Sequence, residues 1–237
     1  MPTEPAVPPA FRGAVITIDG PAGSGKSVTA RLLAARIGFT YIDTGAMYRS
    51  AAWLADRLGT DLDDETQVAA MLDRFDFKSE RAVDGIHVMV GDEDVSDAIR
   101  TPRIDRLVSP IAAHPLIRRF MAKWQRQCAA VGNVVLEGRD TGTVVCPDAD
   151  AKIFLDASLE TRAIRRLRQR GEEVNDAVLT REKAEIERRD RADRDREHAP
   201  LRCADDAVVV DTTGLTLDGQ VEAVYRACER RLAVRGD

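Results

Sequence analysis

The spacing of apolar and polar positions changes period repeatedly along this chain. The run Val15-Ile16-Thr17-Ile18 is short and β-favouring, and Val28, Leu32, Leu33 and Ile37 follow at helical spacing after a glycine-rich octet. That spacing predicts a first strand and then a helix over about 25–37, which Gly38 stops. Residues 39–42 predict a second strand, Asp43-Thr44-Gly45 a turn, and 46–58 a helix through Met47, Ala51, Leu54, Ala55 and Leu58. Tyr48 and Arg49 then fall in the first turn of that helix.

Residues 60–100 break the alternation of strand and helix. Asp61, Asp63, Asp64 and Glu65 open a short helix to about Arg74. Residues 75–78, 87–90 and 93–95 then alternate with Asp84-Gly85 and Gly91-Asp92, a small antiparallel meander with His87 on its surface. Such a meander is an insertion in a βα pattern. Helices follow from Thr101-Pro102 (Ile104, Leu107, Val108, Ile111) and over about 115–130. Residues 134–136 and 152–156 read as buried strands and 208–211 as the last one. Helices over 159–170, 174–196 and 217–234 complete the chain. The fold class is α/β: a mostly parallel sheet with helices on both faces, plus the small antiparallel insertion.

At 237 residues the chain can fill one core, so 13–237 is expected to be a single domain with insertions at about 60–100 and 170–196. Residues 1–12, rich in proline and without a secretory pattern, read as a flexible tail. A net charge of −5 argues against a nucleic-acid polymer as partner. The cysteines at 128, 146, 203 and 228 form no C-x-x-C pair, which fits reduced thiols in the cytoplasm. No stretch approaches a membrane span, and nothing suggests an obligate interface, so a monomer is expected.

The octet Gly20-Pro21-Ala22-Gly23-Ser24-Gly25-Lys26-Ser27 fits G-x-x-x-x-G-K-[S/T] at every specified position, between a strand and a helix. Backbone N–H groups of such a loop point at phosphate oxygens, helped by the helix N-terminus. Lys26 is placed to reach the β- and γ-phosphates, and the Ser27 hydroxyl to help hold Mg²⁺. The chain is therefore expected to bind a nucleoside triphosphate, ATP with Mg²⁺.

Three further stretches carry charge where a phosphate chemistry needs it. Arg49 opposes the dipole of its helix, so either it has an anionic partner or it is a solvated surface residue. Glu137, Arg139 and Asp140 end a buried strand, where open α/β sheets place ligands. Residues 186–197 hold five arginines and five acids. Alone they read as a solvated, ion-paired helix face; beside a phosphate loop they read as an arginine flap over phosphates. A GTPase-type switch needs Asn-Lys-x-Asp, and none occurs. A nucleic-acid-dependent ATPase needs a basic track. Other small-molecule kinases of the same broad fold stay open on these residues alone.

The combination Ile-Asp-Gly-Pro-Ala-Gly-Ser-Gly-Lys-Ser, Asp-Thr-Gly-Ala-Met-Tyr-Arg, Glu-Gly-Arg-Asp-Thr-Gly-Thr-Val-Val and Ile-Phe-Leu-Asp-Ala-Ser resembles the bacterial cytidylate kinases, and extends to 190–201. The resemblance implies a parallel-sheet core, a nucleoside-monophosphate-binding part at about 60–100 and an arginine-rich lid. It implies transfer of a phosphoryl group from ATP to CMP or dCMP, with UMP weak at best. ATP would lie on Gly20, Pro21, Ala22, Gly23, Ser24, Gly25, Lys26, Ser27 and Val28, with Arg162 near it. Thr44, where the family usually has serine, Arg49, Ser109, Arg118, Arg139, Asp140, Arg189, Asp193 and Arg196 match acceptor-binding positions. Asp140 has the chemistry for cytosine, since a carboxylate accepts from the N4 amine where uracil offers only a carbonyl. Lys26, Arg139, Arg189, Arg194 and Arg196 would neutralise the moving phosphoryl group.

Overall fold

A computed structural model describes residues 7–82 and 85–234, so residues 1–6 of the expected 1–12 tail and Asp84 of the first hairpin turn lie outside the described residues. Two compact units emerge, Met1–Asp43 with Arg126–Asp237, and Thr44–Gln125.

In the first unit, β1 (Val15–Asp19) lies between β6 (Val134–Gly138) and β7 (Ala151–Asp156), with β2 (Thr40–Asp43) and β8 (Val208–Asp211) outside them. All four pairings are parallel. β6 is buried along its whole length, as a strand covered on both faces must be. The register pairs Asp19 with Gly138 and Asp43 with Glu137, so acids from three strands reach one carboxyl-terminal edge. α1 (Lys26–Ile37) buries Ala30, Leu33, Ala34 and Ile37 and ends at Gly38 in the left-handed region. α6 (Leu159–Gln169), α7 (Asp176–Arg194) and α8 (Leu217–Ala233) complete the unit. Each begins at a side chain that accepts a backbone N–H: Ser158, Asn175 and Thr216.

Phe11 falls within the expected tail of 1–12. Phe11 is fully buried, stacked on Tyr225 at 5.3 Å and edge-on to Phe39 at 6.4 Å. Burial of a large aromatic side chain outweighs the loop-like composition around it.

The second unit holds α2 (Thr44–Leu58), α3 (Glu65–Asp73), the antiparallel sheet β3 (Phe77–Ala82), β4 (Gly85–Val90) and β5 (Glu93–Asp94), and α4 (Pro102–Ala113). α5 (Pro115–Ala129) runs from it back into the first unit. Its own core includes Met47, Leu54, Val68, Met71, Ile99, Ile117 and Met121. One local expectation fails here. Asp43-Thr44-Gly45 forms no turn: α2 starts at Thr44 directly after β2, so Arg49 sits in the second helical turn. Among the described residues no helix is long and apolar enough to cross a membrane.

Candidate active site

The phosphate loop leaves β1 at Gly20, whose φ is +150°. A Cβ there would lie 2.0 Å from the Leu155 carbonyl oxygen, so only glycine lets the loop pass β7. Lys26 opens α1 and folds back over the loop, donating to the Pro21 carbonyl at 2.7 Å. It is 5% exposed. Burial, then the nearby Arg139, pushes its amine down to about 7.

Ser27 donates to Glu137 Oε1 at 2.7 Å. Burial and a carboxyl neighbour, Asp43, push Glu137 up to about 8. A hydroxyl and carboxylates are hard oxygen donors that suit Mg²⁺, which usually binds through one or two carboxylates plus substrate phosphates. Among the described residues no group of three or more His, Cys, Asp or Glu forms a metal cage; the Ser27 hydroxyl and the Glu137 carboxyl are the oxygens that fit Mg²⁺.

Beside the loop, α6 holds it in place. Arg165 donates to Thr212 Oγ1 at 2.9 Å and to the carbonyls of Thr212 and Ser24 at 2.7 and 3.4 Å. A cavity of about 350 Å³ is lined by Thr161, Ile164, Arg165 and Arg168 of α6 and by residues 213–216. Arg162 is buried, and its guanidinium reaches the Ala22 carbonyl. Arg165, Thr212 and Asp190 carry no local sequence signal for this site, because no spacing rule links the arginine-dense helices or the end of the last strand to the loop.

At the end of β6, Arg139 donates through Nε to Asp193 Oδ2 at 2.9 Å. Burial opposes the Arg139 charge, but Asp193 and Glu137 outweigh it and raise its pKa. For Asp193, burial is likewise outweighed by Arg139 and Arg196, and its carboxyl is held below the usual range. Asp140 is buried, and its carbonyl accepts from Val144 and Val145 of a π-helical turn over Thr141–Val145. Asp19 anchors that turn, accepting from Thr141 N (2.9 Å), Thr141 Oγ1 (2.8 Å) and Gly142 N (2.7 Å). Burial raises its pKa despite those bonds. Of the arginines at 186–197, Arg194 is exposed at the end of α7, Arg189 is half-buried, and Arg196 lies 3.9 Å from Asp193.

The remaining acceptor candidates belong to the second unit. Thr44 is buried at the start of α2. Arg49 has an anionic partner, Asp105 at 2.6 Å, and donates to the Ile99 carbonyl at 3.2 Å. Arg118 is buried, donates to the Ala112 carbonyl at 2.9 Å and lies 5.7 Å from the Tyr48 ring centre. Ser109 is half-buried on α4, next to Pro110.

This arrangement can be set beside known proteins. The sequence profile described as "Cytidylate kinase" matches residues 16–230. The chain is 45% identical over 225 residues to the cytidylate kinase of Geobacter sulfurreducens, covering 92% of this chain and 95% of that one. It is 44% identical over 210 residues to that of Streptococcus suis (88% and 93%), and 43% over 219 to that of Carboxydothermus hydrogenoformans (91% and 97%). A profile spanning nearly the whole chain and identities at this level over full-length relatives admit one conclusion: the chain belongs to the cytidylate kinase family.

Proposed function

We propose that this protein transfers the γ-phosphoryl group of ATP to CMP or dCMP, giving ADP and CDP or dCDP. The observation that carries the reading is the pairing of neighbouring strand ends. β1 delivers the phosphate loop and β6 delivers Arg139 and Asp140 at adjoining positions, with Asp19 opposite Gly138. Donor and acceptor groups on one rigid sheet edge supply the positioning on which phosphoryl transfer depends.

Gly20 to Val28 cradle the ATP phosphates, with the base in the cavity beside Arg165 and Arg168. Lys26 leaves the Pro21 carbonyl for the β- and γ-phosphates, where anionic oxygens restore its charge. Ser27, with Glu137, would hold the Mg²⁺ of the nucleotide, and the ion would supply neutralising charge to the phosphates. Arg139 and Arg49 hold the acceptor phosphate, and Arg189, Arg194 and Arg196 add charge from the lid side. Asp140, Ser109 and Arg118 read the base, while Thr44 and Asp193 contact the acceptor nucleotide. The acceptor oxygen is already anionic near neutral pH, so no strong general base is needed. Lid closure would exclude water and suppress ATP hydrolysis. The enzyme is taken to work as a cytoplasmic monomer.

A coupled ADP-release assay with ATP and Mg²⁺ tests this, offering CMP, dCMP, UMP, AMP and GMP in turn. Strong turnover with CMP and dCMP, weak with UMP and absent with purines is expected. Equal turnover of UMP would remove Asp140 as the base reader. No turnover with any of the five, despite ATP binding, would overturn the kinase reading. In the same assay Asp140→Asn should lose about 10–100-fold in CMP-over-UMP selectivity, the range of one base-edge contact.

A further inference from the structure

The inward residues of α7 are Glu182, Ile186 and Asp190, a stripe at four-residue spacing with an acid at each end. Glu182 pairs with Arg166 and Arg170 of the preceding helix and its end. Asp190 reaches further. Its Oδ1 accepts the backbone N–H of Ala22 at 3.0 Å, and its Oδ2 lies 2.5 Å from Arg162 Nη1. The same Nη1 donates to the Ala22 carbonyl at 2.9 Å, while Arg162 Nε is fixed on the Ala157 carbonyl at 3.0 Å. Both polar backbone groups of one phosphate-loop residue are therefore gripped by the two halves of one ion pair. The two side chains are 8% and 3% exposed. The loop also lies directly on α6: a Cβ at Gly23 would meet the Arg162 carbonyl oxygen at 3.0 Å.

A buried ion pair is weak evidence of stabilisation, because desolvation offsets the attraction, and well-packed apolar residues hold helices together equally well. Apolar residues could not bond the Ala22 peptide. The distinctive effect of the pair is on the loop. It fixes the peptide planes around Ala22, and so the direction in which the following amides point. The same helix bears Arg189, Asp193 and Arg194, and Asp193 holds Arg139 one turn on from Asp190.

We propose that Asp190, acting with Arg162, is a positioning residue for the phosphate donor, which locks the loop at Ala22 and ties its shape to the helix that carries the lid arginines. This role rests on the loop binding ATP as set out above.

Two double variants separate loop positioning from packing. Arg162→Met with Asp190→Asn keeps an acceptor for the Ala22 N–H; Arg162→Met with Asp190→Leu does not. Neither leaves an unpaired buried charge, and circular dichroism checks the fold. Titrated with a fluorescent ATP analogue, the Leu variant should bind about tenfold more weakly than the Asn variant, a difference of about 1.4 kcal/mol. KM for ATP should rise with it, while KM for CMP stays within about twofold of wild type. Equal ATP affinity in both variants and wild type would reduce the pair to packing and overturn the role. A second measurement needs no variant: amide exchange followed by NMR in the nucleotide-free wild type. The Ala22 amide should be protected, and exchange at the rate of an open loop would overturn the role even where a double variant does not fold. A wild type that binds ATP but phosphorylates no monophosphate defeats the kinase reading alone, and the ATP titrations still decide the role of Asp190.

Discussion

Lys26 shows how much of this site is set by the surroundings of a single side chain. Its amine is buried, close to Arg139, and satisfied by the Pro21 carbonyl, so its charge is suppressed until phosphate oxygens arrive. Lys26→Ala removes a donor aimed at charge that develops in the transition state, and kcat with CMP should fall by about 10³. Near-wild-type kcat would refute the mechanism. The same burial makes a stability prediction. The folded-state pKa is depressed from 10.5 to about 7, so between those values the unfolded chain binds more protons and stability rises with pH. That contribution is present above 10.5 and lost as pH falls through 7. Glu137 is shifted the other way, and losing the neighbouring ammonium raises it further, which lowers the stability of a variant without Lys26 as pH rises. Both effects have one sign. The urea midpoint of Lys26→Met should exceed that of wild type by more at pH 7 than at pH 9.5, and a constant gap would contradict the shift.

Between the residue and the whole, the short turn after β6 matters most. Asp19 uses both oxygens to hold residues 141 and 142, directly after Arg139 and Asp140. Arg126 closes the far end by donating to the carbonyls of Val144 and Val145 at 2.9 and 3.0 Å. In Asp19→Asn one oxygen becomes an NH₂ group facing a backbone N–H. KM for CMP should rise about fivefold or more, KM for ATP should change less, and stability should drop by about 1–3 kcal/mol. Equal shifts in both KM values would mean that the turn does not position the acceptor groups. This turn also marks where sequence reading stops. The strands, α1 with its Gly38 stop, the meander and the ends of β6 and β7 are legible because apolar period and turn residues are local signals. The turn over 141–145 is built from a carboxylate more than 120 positions away, and no local pattern announces it. The start of α2 at Thr44 is a similar case: Asp-Thr-Gly is good turn chemistry, yet the helix begins there. The phosphate loop, Arg139 and Asp140 were readable as motifs, whereas Asp190 is hidden in a run of alternating charge that resembles a solvated surface.

At the scale of the molecule, the two compact units have separate cores, and among the described residues no buried residue belongs to both. Leu33 and Ile99, each fully buried, represent one core apiece. Either residue cut back to alanine should cost about 2–5 kcal/mol, the range for a large apolar side chain that leaves a cavity. Because they share no packing neighbours within either cluster, the double variant should equal the sum of the singles to within about 0.5 kcal/mol. The chain carries a natural probe for telling the units apart, since both tryptophans, Trp53 and Trp124, lie in Thr44–Gln125. Tryptophan fluorescence therefore follows the second unit, while far-ultraviolet circular dichroism follows helices in both. In urea, Ile99→Ala should lower the fluorescence midpoint. Leu33→Ala should lower the dichroism midpoint and move the fluorescence midpoint less. Two separate cores predict this divergence between probes; coincident shifts in both variants would show that the chain unfolds as a single cooperative block, with the two cores energetically one.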